Sequence, residues 1–297
     1  MEQIIKRIYF VLIFGALLLP SSVFASTVYI DTKHSDFFVE DTIMFSVRVD
    51  SEDTDINVVE GSVMLDYTAG SASLIDINIG GSAFSLWPLK PLPSIDNTSI
   101  SFTGGTPSSV TSKDAIIFNI VLKLQNVGQI TLTPTNVSVY LNDGKGTKDN
   151  VRMKSAVIDV LPKKPDSQPV DDWSSVTSKD KTAPEFIEAI VSRDPHTFDN
   201  QYFVSFFAVD KDSGTAYYEI KEGDRDFIRA ESPHVLLDQS LKSIVQMKAV
   251  DKAGNESVTT PEVAIPGVPY TTYLIWIFVT LVILAVIFWL RRFRNER

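Results

Sequence analysis

The sequence predicts an all-β protein in which two β-sandwich modules follow one another and one transmembrane helix ends the chain. Three observations lead to this prediction. Short runs of alternating apolar and polar residues recur through the middle of the chain, as they do in half-buried strands. Clusters of Gly, Asn, Asp and Ser separate these runs, as expected of turns. Both ends of the chain are instead continuous apolar stretches.

Residues 1–25 have the layout of a secretory signal peptide. Lys6 and Arg7 precede an apolar run from Ile8 to Leu19, and a small-residue pattern ends at Ala25. This order is typical of an export signal. The run is shorter than the ~20 residues needed to cross a bilayer. We therefore expect an exported protein that is cleaved after Ala25.

Residues 26–162 form the first predicted module. Ile43, Phe45, Val47 and Val49 share one face of an alternating run. The same period returns in later runs, at Val63 and Leu65, Ile100 and Phe102, Ile116 to Leu124, and Val137 to Leu141. Many short strands with turn residues between them, and no helical period, predict a β-sandwich.

Residues 163–184 are rich in proline, serine and charges of both signs, and Trp173 is their one aromatic residue. This composition predicts an extended linker.

Residues 185–266 form the second predicted module. Seven strand-like runs occur at Phe186–Ser192, Tyr202–Val209, Thr215–Lys221, Phe227–Ala230, Val235–Leu237, Ser243–Val250 and Ser257–Ile265. Seven short strands in about eighty residues are typical of an immunoglobulin-like or fibronectin type III-like sandwich. The related turns after the second and sixth runs contain Asp210 and Asp251. Because strands alternate in direction, both turns should lie at the pole that faces the linker.

Residues 271–290 predict a single membrane span. Tyr273 to Leu290 carry no charge and have aromatic residues at both rims. The tail 291–297 contains four arginines, which marks a cytoplasmic flank. We expect a single-pass protein of the cell membrane with its N-terminus outside and its C-terminus in the cytoplasm.

Composition excludes several functional classes. The 297 residues include no cysteine, so disulfide scaffolds and thiolate metal sites are excluded. With 27 Lys and Arg against 37 Asp and Glu, the net charge is -10, which argues against a nucleic-acid partner. His34, His196 and His234 are dispersed, and no HExxH, GxSxG, GxGxxG or Walker motif occurs. We therefore expect no enzymatic activity.

The stretch from about Thr27 to Val160 resembles a cohesin domain of bacterial surface proteins. The matching segments, in order, are Val28–Ile30, Phe45–Val49, Ile56–Tyr67, Ile100–Gly105 and Leu141–Thr147. The second module looks like bacterial Ig-like repeats that end in AVDKAGN, as Ala249 to Asn255 do.

The cohesin resemblance implies a nine-stranded jelly-roll sandwich that binds a dockerin-type protein through one sheet face, or a glycan through a related architecture. We therefore expect a membrane-anchored cell-surface binding protein. Two alternatives remain open at this point, a carbohydrate-binding adhesin and a structural envelope spacer without a dedicated ligand. Exposed aromatic side chains would favour the adhesin, and the absence of any exposed apolar patch would favour the spacer.

Four aromatic residues are candidates for ligand or partner binding. Phe84 and Trp87 belong to an apolar, loop-like segment, and Tyr67 and Tyr140 are second candidates. Aromatic rings stack on sugars and also anchor protein interfaces. The alternative is that Phe84 and Trp87 close one end of the sandwich core.

Asp210, Asp212 and Asp251 are the candidate ligands of a structural calcium ion across the shared pole, since hard cations prefer several oxygen ligands. A second acidic group comprises Asp50, Glu52, Asp53 and Asp55. The alternative for both groups is ordinary turn chemistry, in which the carboxylate accepts a backbone amide two residues on. We expect no other cofactor.

Overall fold

The computed structural model describes residues 26–67, 70–263 and 276–287. The predicted signal peptide, residues 1–25, and the basic tail, residues 291–297, lie outside the described residues. The described chain folds into two β-sandwiches joined by a segment that contains one short helix. The described chain is mostly β, so the predicted β fold is confirmed.

The first module contains eleven strands within the described residues. They are β1 Thr27–Asp31, β2 Phe37–Phe38, β3 Thr42–Asp50, β4 Ile56–Tyr67, β5 Ala72–Asn78, β6 Leu86–Pro93, β7 Ser99–Val110, β8 Ala115–Leu124, β9 Gly128–Leu141, β10 Arg152–Lys154 and β11 Ala156–Leu161. One sheet has the order β10-β1-β3-β8-β5 and the other β2-β11-β9-β4-β7-β6. The count exceeds the expected nine because β2 and β10, of two and three residues, pair in parallel at two sheet edges.

The core of the first module lies between its two sheets. The predicted alternation in β3 holds, since Phe45, Val47 and Val49 are fully buried there. The rings of Phe102 and Phe118 meet across the sheets with centroids 5.0 Å apart. Apolar burial of this kind is the main stabilising contribution in a chain without disulfides.

The predicted extended linker is instead partly helical and docked. Helix α1 covers Asp172–Lys179, and its N-cap Asp171 accepts the Ser174 amide through Oδ1 at 2.9 Å. Just before the helix, the carbonyl of Val170 accepts the Thr42 amide at 2.8 Å. Strand β1 pairs only with residues 46–50 of β3. The linker therefore lies beside the first residues of β3, which β1 leaves unpaired.

The second module contains eight strands within the described residues. They are β12 Glu185–Arg193, β13 Tyr202–Val209, β14 Thr215–Glu222, β15 Ile228–Ala230, β16 His234–Val235, β17 Val245–Asp251, β18 Glu256–Thr259 and β19 Glu262–Val263, with a short 3₁₀ helix at Phe198–Asn200. The sheets have the orders β16-β13-β12-β19 and β15-β14-β17-β18. The last predicted run is divided because a buried proline, Pro261, separates β18 from β19, and proline cannot donate to a ladder.

Part of the predicted span 271–290 lies outside the described residues, and residues 276–287 are helical. Among the residues that the structure describes, none of the helices has both the length and the apolar character needed to cross a membrane.

Candidate functional site

The outer face of the sheet formed by β9, β4, β7 and β6 is lined by short hydroxyl side chains. Paired residues of an antiparallel sheet point to the same side, so the register defines this face. Ser62 pairs with Ser101 and Thr135, and Met64 pairs with Ser99 and Thr133. The hydroxyls of Ser62 and Ser101 are hydrogen-bonded at 3.2 Å. We call this surface the hydroxyl face.

Three leucines of edge strand β6 border the hydroxyl face. Leu86, Leu89 and Leu92 pair with Gly105, Thr103 and Ser101, with a register shift between each pair. These shifts turn every third residue outward, and the three leucines are 48%, 41% and 61% exposed. We call them the leucine ladder. The proline residues among them, Pro88, Pro91 and Pro93, are compatible with an edge strand because they lack an amide donor.

Tyr140 closes the opposite side of the hydroxyl face. Its hydroxyl donates to Glu60 Oε1 at 2.6 Å, and the Lys148 ammonium lies 5.2 Å from its ring centroid. The same ammonium donates to Ser138 Oγ at 3.2 Å. Tyr140 is therefore half-buried and held by its neighbours rather than presented as a free ring.

The structure corrects the candidate role of Phe84. Its side chain is 1% exposed and belongs to the sandwich core, because it lies on the inner side of the sheet beside Gly104. Phe84 therefore cannot contact a ligand directly. Tyr67 also packs against the core, with its hydroxyl 3.4 Å from the Asn97 carbonyl. Burial, with a smaller contribution from the charge of Asp96, raises the pKa of Tyr67.

Trp87 is half-buried against Gly104 and forms one wall of a groove between the two modules. A Cβ added to Gly104 would lie 2.9 Å from the Trp87 ring. The groove has a volume of about 830 Å³, and Tyr217, Tyr218 and Arg229 of the second module line its other side. Leu89 and Leu92 line the groove as well, so the groove adjoins the hydroxyl face along β6.

The two modules also touch at a polar joint near the linker. The Lys252 ammonium donates to Asp76 Oδ2 at 2.6 Å and to the Ile77 carbonyl at 2.7 Å. The side-chain amide of Asn78 donates to the backbone carbonyl of Asp212 at 3.4 Å. The second module is thus held against the first by charged and neutral hydrogen bonds.

The carboxylates that the structure brings together differ in one member from the predicted cation ligands. Asp210 and Asp251 lie together as expected, but the third carboxylate is Asp180 of the linker, and Asp212 is not a member of the group. Asp212 instead faces the first module through its carbonyl. Asp180 is not recognisable as a ligand from the sequence of an extended linker, although its position just before the second module is a usable signal.

The other acidic group does not converge on one point. Among the described residues, the cluster containing Asp180 is the one found with ligand spacing. Asp50 Oδ1 accepts the Glu52 amide at 3.2 Å, which is the turn chemistry considered as the alternative.

Comparisons with known proteins found cohesin modules among solved structures. One is the cohesin module of a family 33 glycoside hydrolase from Clostridium perfringens, with a TM-score of 0.39, 13% identity, and coverage of 47% of this chain and 98% of that chain. Another is the seventh ScaB type I cohesin of Pseudobacteroides cellulosolvens, with a TM-score of 0.40, 17% identity, and coverage of 48% and 97%. A type I cohesin–dockerin complex of Clostridium thermocellum gives a TM-score of 0.39 and 9% identity, with coverage of 48% and 97%. No family model and no curated protein matches the chain.

Proposed function

We propose that this protein is a cell-surface receptor that binds an extracellular protein partner through the hydroxyl face and the leucine ladder. The observation that carries the proposal is the ladder itself. Leu86, Leu89 and Leu92 are exposed in a row beside a flat surface of hydroxyl groups. An apolar strip bordered by neutral hydrogen-bonding groups has the composition of a protein interface.

The state of the aromatic residues favours a protein over a glycan. Sugar recognition by stacking requires ring faces that are open to solvent. Phe84 is buried, Trp87 rests on Gly104, and the Tyr140 ring lies beside Lys148. The adhesin alternative therefore has little support on the hydroxyl face, and its remaining support is the groove that Trp87 and Tyr217 line.

The leucine ladder also argues against a spacer without a ligand. A spacer gains nothing from large apolar side chains in water, and exposed apolar rows commonly mark interaction sites. The dockerin type of partner follows from the resemblance of residues 27–160 to cohesin domains. Anchoring in the cell membrane, with both modules outside, follows from the apolar ends of the sequence.

The proposal is tested by partner capture with the full-length protein in detergent. The immobilised chain is exposed in parallel to the exported proteins of the host and to a panel of polysaccharides, and captured proteins are identified by mass spectrometry. We expect capture of a protein that carries a dockerin-type module. Replacing two ladder residues, Leu89→Ser with Leu92→Ser, should weaken its binding more than about tenfold, because each buried leucine contributes roughly 1.5–3 kcal/mol.

Ile75→Ser is the matched control. Ile75 is 49% exposed on β5, an edge strand of the other sheet, so its loss removes similar apolar surface at a different place and should leave binding unchanged. Equal binding by the double ladder variant and the wild type would overturn the proposed face. Capture of a polysaccharide that Trp87→Ala abolishes would establish the adhesin, and no capture at all would favour the spacer.

A further inference from the structure

Three aspartates from three separate segments meet beneath the joint between the modules. Asp180 follows α1, Asp210 follows β13 and Asp251 ends β17. They are 4%, 4% and 2% exposed, and one carboxylate oxygen of each lies within 4.8 Å of the others. Three buried carboxylates so close together repel one another strongly unless a cation lies between them.

No lysine or arginine of the described residues forms an ion pair with this cluster. The lysine next to Asp251, Lys252, forms its ion pair with Asp76 of the first module. The three carboxylates therefore have no ion-pair partner among the described residues, although the charge of Lys181 acts on Asp180.

Asp210 carries an unused ligand atom. Its Oδ1 accepts the amides of Asp212 and Gly214 at 3.2 and 2.6 Å. Its Oδ2 is buried and has no hydrogen-bond partner. A buried carboxylate oxygen without a partner is costly, and a bound cation would remove that cost.

The donor set selects a hard divalent cation. The three side chains offer oxygen alone, which suits calcium or magnesium rather than zinc. A calcium ion with bonds of about 2.4 Å spans oxygens up to about 4.8 Å apart, and the three carboxylate oxygens lie within that distance of one another. The flexible coordination of calcium accepts a site of this kind more readily than the octahedral demand of magnesium.

We propose that Asp180, Asp210 and Asp251 bind a calcium ion that fastens the linker to the second module. Asp180 already accepts the Ser213 and Thr182 amides at 3.1 and 2.9 Å. The ion therefore joins the end of α1 to the two turns that contact the first module through Asp212 and Lys252. Its role is structural and does not depend on the proposed partner recognition.

Calcium binding is measured by titration calorimetry on the full-length protein in detergent after treatment with EGTA. We expect one saturable site with a dissociation constant at or below about 1 mM, the range of extracellular calcium modules. Thermal unfolding should shift upward with calcium and return with EGTA. Magnesium at the same ionic strength should produce a smaller shift.

Substitutions distinguish the proposed calcium ligands from neighbouring aspartates. Asp180→Asn and Asp210→Asn should each weaken calcium binding about tenfold or more, since affinity follows the number of charged ligands. Asp212→Asn, in the same turn as Asp210, should change it less than about twofold. Without calcium, Asp210→Asn should be at least as stable as the wild type, because one of three repelling charges is gone.

Three results would overturn the inference. One is the absence of saturable heat up to about 10 mM calcium, roughly ten times the weakest dissociation constant expected of extracellular modules. Another is equal calcium affinity in Asp180→Asn and the wild type. The third is a loss in Asp212→Asn as large as that in Asp180→Asn. The titration of Asp180→Asn decides the question even if Asp210→Asn fails to fold.

Discussion

The carboxylate of Asp238 organises the turn between β16 and β17. Its Oδ1 accepts the amide and hydroxyl of Ser240 at 2.9 and 2.6 Å, and its Oδ2 accepts the amides of Lys242 and Ser243 at 3.1 and 2.8 Å. The hydrogen bonds from Ser240 and Ser243 hold the pKa of Asp238 well below its ordinary value. The charged form therefore stabilises the folded second module.

Asp238→Asn should lower the melting temperature of the second module at neutral pH. For a carboxylate with a depressed folded pKa, the stabilisation is complete above the unfolded pKa of about 3.9 and is lost as the pH falls through the folded value. The difference between wild type and variant should thus be constant from pH 7 to about 5 and shrink below about 4. Thermal unfolding across this pH range measures it.

Asp226→Asn serves as the control, because Asp226 is exposed in the loop before β15. A melting difference for Asp238→Asn that stayed the same down to pH 2 would contradict the electrostatic explanation.

At the level of single residues, the sequence predicted which segment contributes to the candidate site, but not which residues of that segment are exposed. It drew attention to residues 84–90 through Phe84 and Trp87, yet the exposed large apolar residues there are Leu86 and Leu89. Strand alternation with a period of two could not identify them, because the register shifts in β6 impose a spacing of three. Such shifts depend on the neighbouring strand and leave no local sequence pattern.

Helix α1 is held mainly by one side chain of its first turn. Asp172 Oδ2 accepts the Met44 amide of β3 at 3.0 Å, and its Oδ1 lies 3.0 Å from His34 Nε2. An eight-residue helix with no fully buried residue is too short to be stable alone. The docking contacts therefore determine whether the linker is helical.

Asp172→Ala should destabilise the docked linker by about 1–3 kcal/mol, because the half-buried Met44 amide and His34 lose their acceptor. Hydrogen exchange of the Met44 amide should accelerate accordingly, and trypsin should cleave after Lys179 or Lys181 more rapidly. Lys179→Ala, an exposed change in the same helix, should leave Met44 exchange unchanged. An unaltered Met44 exchange rate in Asp172→Ala would contradict this assignment.

At the level of elements, many strands of both modules were predictable because turn residues separate runs of clear alternation, but β6 was not, since its segment has the composition of an apolar loop. Strand β13 begins and ends where the sequence placed it, at Tyr202 and Val209. The helix was not predictable in the same way. Asp171 followed by Ser174 is a capping pattern, but the segment lacks an apolar stripe, and only the open edge of β3 gives it a partner.

For the molecule as a whole, the close approach of Gly80 to the second module is a tight point of the joint. A Cβ on Gly80 would collide with the carbonyl of Asp212. The backbone of Gly80 lies outside the left-handed region that favours glycine. A side chain at this position therefore disturbs the contact between the modules and does not strain the backbone of the first module.

Gly80→Ala should separate the modules while each stays folded. Relieving the overlap costs about 1–3 kcal/mol, which is comparable to the hydrogen bonds that hold the joint. Small-angle scattering should show a larger radius of gyration than the wild type. Gly128→Ala, whose added Cβ meets only a side-chain atom at 3.9 Å, should leave the scattering unchanged. An unchanged radius in Gly80→Ala would show that the joint tolerates the overlap.

The arrangement of the two modules was the part of the fold least accessible to sequence analysis. The order of modules and the facing of the Asp210 and Asp251 turns toward the linker followed from strand counting. The contacts of Lys252 with Asp76 did not, because they join residues 176 positions apart and depend on how the linker folds back along β3.

The docked linker also determines how this molecule carries mechanical load. When the two modules are pulled apart, tension enters the linker at Leu161 and leaves through β12. The Val170 carbonyl accepts the Thr42 amide, and the bridge between Asp171 and Thr42 is parallel. A force that extends the linker therefore has to break these contacts first, so the docked linker limits how far the two modules can separate.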